Sequence, residues 1–147
     1  MKSGKGFYVT HIYKPEKHAK YKLPLFISRI PAGFPSPADD YIDKNLDLNE
    51  YLIKHPAATF FVRVEGDSMV DAGIHSGDIL IVDRTLEAIN NKIVVAILDG
   101  EFTVKRIRKI KNELYLLPEN SNFDPIEITE EMNFEVWGVV AYVIHPV

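Results

Sequence analysis

The sequence contains no cysteine. That excludes a disulfide framework, a thiolate-bound zinc and a cysteine nucleophile, and it fits a reducing compartment. No apolar run approaches the roughly 18 residues a membrane helix needs. The N-terminus, "MKSGKGFYVTHIYKPEKHAKYK", has lysines but no apolar stretch of signal-peptide length. The expected location is the cytoplasm. Positive charge is also in short supply: 17 Lys and Arg face 21 Asp and Glu, a net charge of -4. This argues against a partner held by bulk phosphate neutralisation. His11, His18, His55, His75 and His145 lack metal-ligand spacing, so a zinc site would have to assemble in space. Each is expected at the surface or in ordinary core, with no metal. "GKGF" is not a phosphate-cradling loop.

What is present is an ordinary globular composition, 46% hydrophobic and 26% charged over 147 residues, enough for one domain with a real core. The charge is uneven. Residues 1–32 hold six Lys and one Arg against Glu16, a balance of +6, and the remainder balances at -10. A basic arm on an acidic body follows. "RIPAGFPSPADDY", with Pro31, Gly33, Pro35 and Pro37, breaks helix and central strand alike and marks the plausible boundary.

Beyond it, Asp47 and Glu50 have capping-box spacing, and Leu48, Tyr51 and Leu52 share a face. A short helix over about residues 47–54 is expected, ended by Pro56. From Ala58 the chain reads as β: "TFFVRVE", "DILIVDR", "KIVVAIL", a hairpin at Asp99-Gly100, "EFTVKRIRKI", "NELYLLPEN", and "FEVWGVVAYVIH" as one long strand or a pair bent at Gly138. The expected fold is mostly β, a rolled or barrel-like antiparallel sheet with an extended N-terminal arm and one short helix. Met69, Phe60 and Trp137 are assigned to core. In "NSNFDPI", Asn120 and Asn122 are read as capping a structured loop or helping dimer contacts.

The candidate for chemistry is Ser68, in a glycine turn directly after "TFFVRVE". A nucleophilic serine needs an exposed Oγ, a base, and N–H groups aimed at the developing oxyanion. Gly66 permits such a turn, and the N–H groups of Asp67 and Ser68 are the available donors. Taken alone, serine in a glycine turn is usually turn chemistry. With histidine scattered, lysine becomes the candidate base, and a lysine must be desolvated to act near neutrality. Lys105 shares one strand face with Thr103 and Ile107, so its stem has apolar company, although alternation alone does not separate this from a solvated lysine.

"GDSM" followed by "AGI", "SGDILIVD", "KIVVAILDGEFTVKRI" and "LLPENSNFDPI" resembles the LexA/UmuD superfamily of self-cleaving serine–lysine peptidases. The resemblance spans about residues 30–147. "GFPSPADDYID" and "LDLNEYLIKHPAATFFV" bring it closer to the UmuD type than to the LexA type. It implies that Ser68 is the nucleophile, Lys105 the general base, and the N–H groups of Asp67 and Ser68 the oxyanion hole. The implied scissile bond is Ala32-Gly33. Three regions follow: an arm (1–32) removed by cleavage, a linker (33–45), and a catalytic and dimerisation domain (46–147). It further implies stimulation by a RecA filament on single-stranded DNA. The trimmed homodimer then joins UmuC in translesion polymerase V during the SOS response. No cofactor is implied. Ala32 departs from the cysteine usual in UmuD-type chains and matches LexA-type repressors, and the arm is longer than usual.

Three rivals are weaker. A LexA-like repressor needs a helix-turn-helix, and residues 1–32, interrupted by Pro15 and Pro24, lack its apolar period, so direct DNA binding is not expected. A LexA-superfamily regulator without that domain remains open. A signal peptidase needs a membrane anchor. A non-catalytic module that binds a polymerase or RecA would have no use for both Ser68 and Lys105.

Overall fold

The structure, a computed structural model, describes residues 8–15, 22–26 and 42–147. Two units divide the chain: His55–Val147 with the N-terminal stretch through Pro15, and Glu16–Lys54. The Ala32-Gly33 bond lies outside the described residues.

In the smaller unit, β2 (Lys22–Phe26) pairs antiparallel with β3 (Ile42–Asp47), and the helix α1 (Leu48–Leu52) follows. Asp47 caps that helix, its Oδ1 accepting from the N–H groups of Asn49 at 2.9 Å and Glu50 at 3.4 Å. The helix is shorter than the 47–54 expected, and none of its residues is buried, so the shared face of Leu48, Tyr51 and Leu52 is not a core face.

The larger unit is one eight-stranded antiparallel sheet curled into a half-barrel. Its strands are β1 (Tyr8–Tyr13), β4 (Thr59–Glu65), β5 (Ile79–Asp83), β6 (Ile93–Leu98), β7 (Glu101–Ile110), β8 (Glu113–Leu117), β9 (Ile126–Ile128) and β10 (Phe134–Ile144), in the order β1-β4-β5-β10-β6-β7-β8-β9. The β6–β7 turn is made by Asp99 and Gly100, both at positive φ (48° and 84°), as a two-residue hairpin of the I′ type requires.

Both faces of the central strands are covered. Val62, Val64, Met69, Ile74, Leu80, Val82, Val95 and Val104 form one buried cluster, and Val94, Ala96, Ile107, Leu116 and Val139 form another. Neighbouring residues on a strand point to opposite faces, so Val94 and Val95 serve different clusters. This is why "IVVAIL" reads as a continuous apolar run. The aromatic group is less enclosed than Met69: Phe60 and Trp137 are half-buried, with ring centroids 5.2 Å apart, and Phe102 meets Trp137 edge-on at 5.7 Å.

β10 is a single strand that serves two partners. Phe134–Val139 pairs with β6 and Val139–Ile144 with β5. Its register slips between Val136 and Gly138 and again between Val140 and Tyr142. Such bulges bend a strand and raise its twist, which curls the sheet. At the first bulge, a Cβ on Gly138 would lie 2.5 Å from Val82 Cγ1, so only glycine fits.

Candidate active site

The turn after β4 is built by two glycines and a buried methionine. Gly66, at φ 114°, donates its N–H to Ser76 Oγ at 3.2 Å. Ser68 follows, and Met69, fully buried, anchors the turn in the core. Met69 O accepts from the N–H of Ala72 at 3.0 Å and of Ile74 at 3.3 Å. A single 3-10 turn, Val70–Ala72, then ends at Gly73 in the left-handed region.

β7 carries Lys105 to this turn. Its side chain lies beside Val94, its pairing partner on β6, and two residues from Thr103. Lys105 Nζ sits 3.2 Å from Ser68 Oγ, 2.9 Å from Thr103 Oγ1 and 3.1 Å from Val104 O. Lys105 is 4% exposed and Ser68 0%. Burial lowers the Lys105 ammonium from its usual 10.5 to about 8. A neutral amine has two N–H donors and one lone pair. The Val104 carbonyl can only accept, and Thr103 Oγ1 takes the second N–H. As an ammonium, Lys105 donates one N–H to each of Ser68 Oγ, Thr103 Oγ1 and Val104 O. Once neutral, it keeps two N–H donors for Thr103 and Val104 and turns its lone pair to the Ser68 hydroxyl.

The expectation of an exposed Ser68 Oγ is corrected: the hydroxyl is closed to solvent. Burial lowers the proton affinity of the amine, so Lys105 loses its proton at a lower pH than a solvated lysine does. The Asp67 and Ser68 N–H groups donate to no acceptor among the described residues, whereas both carbonyls are engaged.

A loop that the sequence reading assigned to its own capping or to dimer contacts also holds the Ser68 turn. Glu119 N–H donates to Ser68 O at 2.7 Å, Asp71 N–H donates to Glu119 O at 2.8 Å, and Asn120 Nδ2 donates to Asp67 O at 2.9 Å. Asn120 also caps its loop, its Oδ1 accepting from Asn122 N–H at 2.9 Å. The Glu119 carboxylate is paired with Arg106, the residue after Lys105, so β7 and the 119–120 loop grip the Ser68 turn together. The available signal was "LLPENSN", polar residues directly after a strand that buries Leu116.

The chain is similar to known proteins over most of its length. A family described as Peptidase S24-like matches residues 24–141. The protein SamA of Salmonella typhimurium is 52% identical over 122 residues, covering 83% of this chain and 84% of SamA. MucA of Escherichia coli is 45% identical over 130 residues (86% and 88%), and ImpA of Shigella flexneri is 44% identical over 137 residues (89% of each).

The chain belongs to the Peptidase S24-like family.

That membership agrees with the LexA/UmuD resemblance and its UmuD-like character. In this Peptidase S24-like chain no histidine among the described residues hydrogen-bonds Ser68. His55 Nδ1 meets Asp83 Oδ2 at 2.5 Å, with the Thr85 hydroxyl donating to Asp83 Oδ1 at 2.6 Å. Burial opposes ionisation of Asp83, but the hydrogen bonds of Thr85 and His55 prevail and hold its carboxyl below the ordinary value. His11 stacks on Tyr13, and His18 lies outside the described residues. His75 and His145, 70 positions apart in the chain, meet with ring centroids 4.5 Å apart. No helix among the described residues is long and apolar enough to cross a membrane.

Proposed function

We propose that this protein is a UmuD-like SOS-response protein that cleaves its own chain at Ala32-Gly33, with Ser68 as nucleophile and Lys105 as base. The observation that carries this reading is the 3.2 Å approach of Lys105 Nζ to Ser68 Oγ, both residues being buried. Neutral Nζ takes the hydroxyl proton as Oγ attacks the Ala32 carbonyl carbon. The Asp67 and Ser68 N–H groups receive the oxyanion. The lysine ammonium then gives its proton to the Gly33 nitrogen as the C–N bond breaks, leaving an ester of Ala32 on Ser68. Water, deprotonated by the same lysine, hydrolyses that ester and frees Ser68.

Three regions divide the work: the arm (1–32), the linker (33–45) and the catalytic and dimerisation domain (46–147). Ala32 is small and Gly33 lets backbone approach closely. Stimulation comes from a RecA filament on single-stranded DNA, which favours the conformation with the linker in the site. The trimmed homodimer serves as the accessory subunit of a translesion polymerase with a UmuC-type partner, in the cytoplasm. The arm includes β1, which pairs with β4 at the edge of the large sheet. Losing it leaves β4 with an unpaired edge, a template for a partner's strand.

The test is intact mass spectrometry after incubation at neutral pH with RecA, single-stranded DNA and a nucleotide. A product beginning at Gly33, absent in the Ser68→Ala chain, is the expected result. A cut elsewhere, or the same cut with Ser68→Ala, would overturn the assignment.

A further inference from the structure

On the turn that leads into β5, a second constellation stands apart from Ser68. Asp78 N–H donates to His75 O at 3.0 Å, closing a turn with Gly77 at φ 89°. That turn aims the Asp78 carboxylate back at its own start, where Oδ2 accepts the His75 N–H at 2.7 Å. Asp78 is 1% exposed. β10 delivers the third residue: Ile144 pairs with Ile79, which places His145 beside Asp78, its Nδ1 2.6 Å from Oδ1. His75 Nδ1 stops 3.9 Å from Oδ2, beyond hydrogen-bond reach. One ligand atom from each of His75, Asp78 and His145 lies within 4.8 Å of the others.

We propose that His75, Asp78 and His145 form a binding site for a divalent transition metal of the zinc class. Two imidazoles and one carboxylate suit zinc, with bonds of about 2.0–2.2 Å. Tetrahedral ligands of one such ion lie about 3.4 Å apart, so ligand atoms up to 4.8 Å apart close by about 1.4 Å or less on binding, and the 2.6 Å His145–Asp78 contact opens. The buried carboxylate is fixed by the backbone, a preorganised ligand. Both rings are about half-exposed, which leaves an entry path and room for a water as fourth ligand. The hydrogen bond to Asp78 engages the His145 ring nitrogen and ring packing engages His75, whereas a metal employs a nitrogen of both rings. The bound ion ties the end of β10 to the turn before β5.

The test titrates the full chain with zinc against a chromophoric chelator, and with cobalt(II) by visible absorption. One equivalent is expected to bind. His75→Ala and His145→Ala, both folded by circular dichroism, are each expected to weaken it at least about tenfold, while His55→Ala does not. These variants are preferred because Asp78 is buried and its replacement endangers folding. Absence of zinc binding to the folded chain overturns the proposal. So does affinity unchanged in the His75→Ala/His145→Ala double variant, which would place the metal elsewhere.

Discussion

Lys105 Nζ lies 3.2 Å from Ser68 Oγ, and the two residues, 37 positions apart, are both buried. The contact joins a strand interior to a turn, and each partner is fixed by different forces. Thr103 and Val104 hold the amine from its own strand, while the 119–120 loop holds the carbonyls flanking Ser68.

The pH dependence of self-cleavage follows from the Lys105 amine, brought down to about 8 by burial. Only the neutral form is a base. The rate should rise about tenfold per pH unit below 8, reach half its maximum near 8 and level off above about 9. A rate still climbing tenfold per unit between pH 9 and 10 would show an ordinary solvated lysine instead.

The same burial carries a stability cost. Below pH 8 the lysine must be held charged in a dry site, or neutralised against its solution preference. A depression of this size corresponds to about 3 kcal/mol. The folded state binds fewer protons than the unfolded state between about pH 8 and 10.5, so stability rises with pH across that window. Lys105→Met, similar in volume and never charged, should therefore be more stable than the parent by about 1–3 kcal/mol at pH 7. The advantage should fade by about pH 10.5, and urea unfolding at several pH values measures it.

Asn120→Ala removes the side-chain bond to Asp67 O and the cap on Asn122. Misplacing the turn by a fraction of an ångström should slow self-cleavage by about 10–100-fold. The midpoint of the pH profile should stay near 8, because Lys105 keeps its surroundings. A shifted midpoint would mean that Asn120 acts on the lysine and not on the turn.

Gly138→Ala places a methyl carbon against Val82 Cγ1 at the β10 bulge. Overpacking of this kind costs about 1–3 kcal/mol. Thermal unfolding should show the loss, with a smaller effect for Gly100→Ala, where nothing lies within 4 Å and only the positive φ resists.

How far the sequence revealed this molecule depended on where each residue is buried. β4 and β7 were legible to the residue because their apolar and turn signals are local, and Asp99-Gly100 announced its own hairpin. β1 was missed because "YVTHIY" is an exposed edge strand with no alternation to detect, and β3 because "IDKNLD" is polar. Ser68 and Lys105 were legible as residues through the family resemblance, but alternation could not say that Lys105 is dry. The grip of Glu119 and Asn120 on the turn carbonyls joins residues about 50 positions apart, which no local spacing encodes. The meeting of His75 with His145 needs β10 to lie beside β5, a pairing that no local spacing encodes.

The central claim is that Ser68 and Lys105 cut this chain. The most direct measurement is intact mass of the purified protein held at about pH 9.5 without any partner, beside Ser68→Ala and Lys105→Ala. The account predicts a fragment beginning at Gly33 from the parent alone. A folded parent that stays whole, or variants that yield the same fragment, would contradict it.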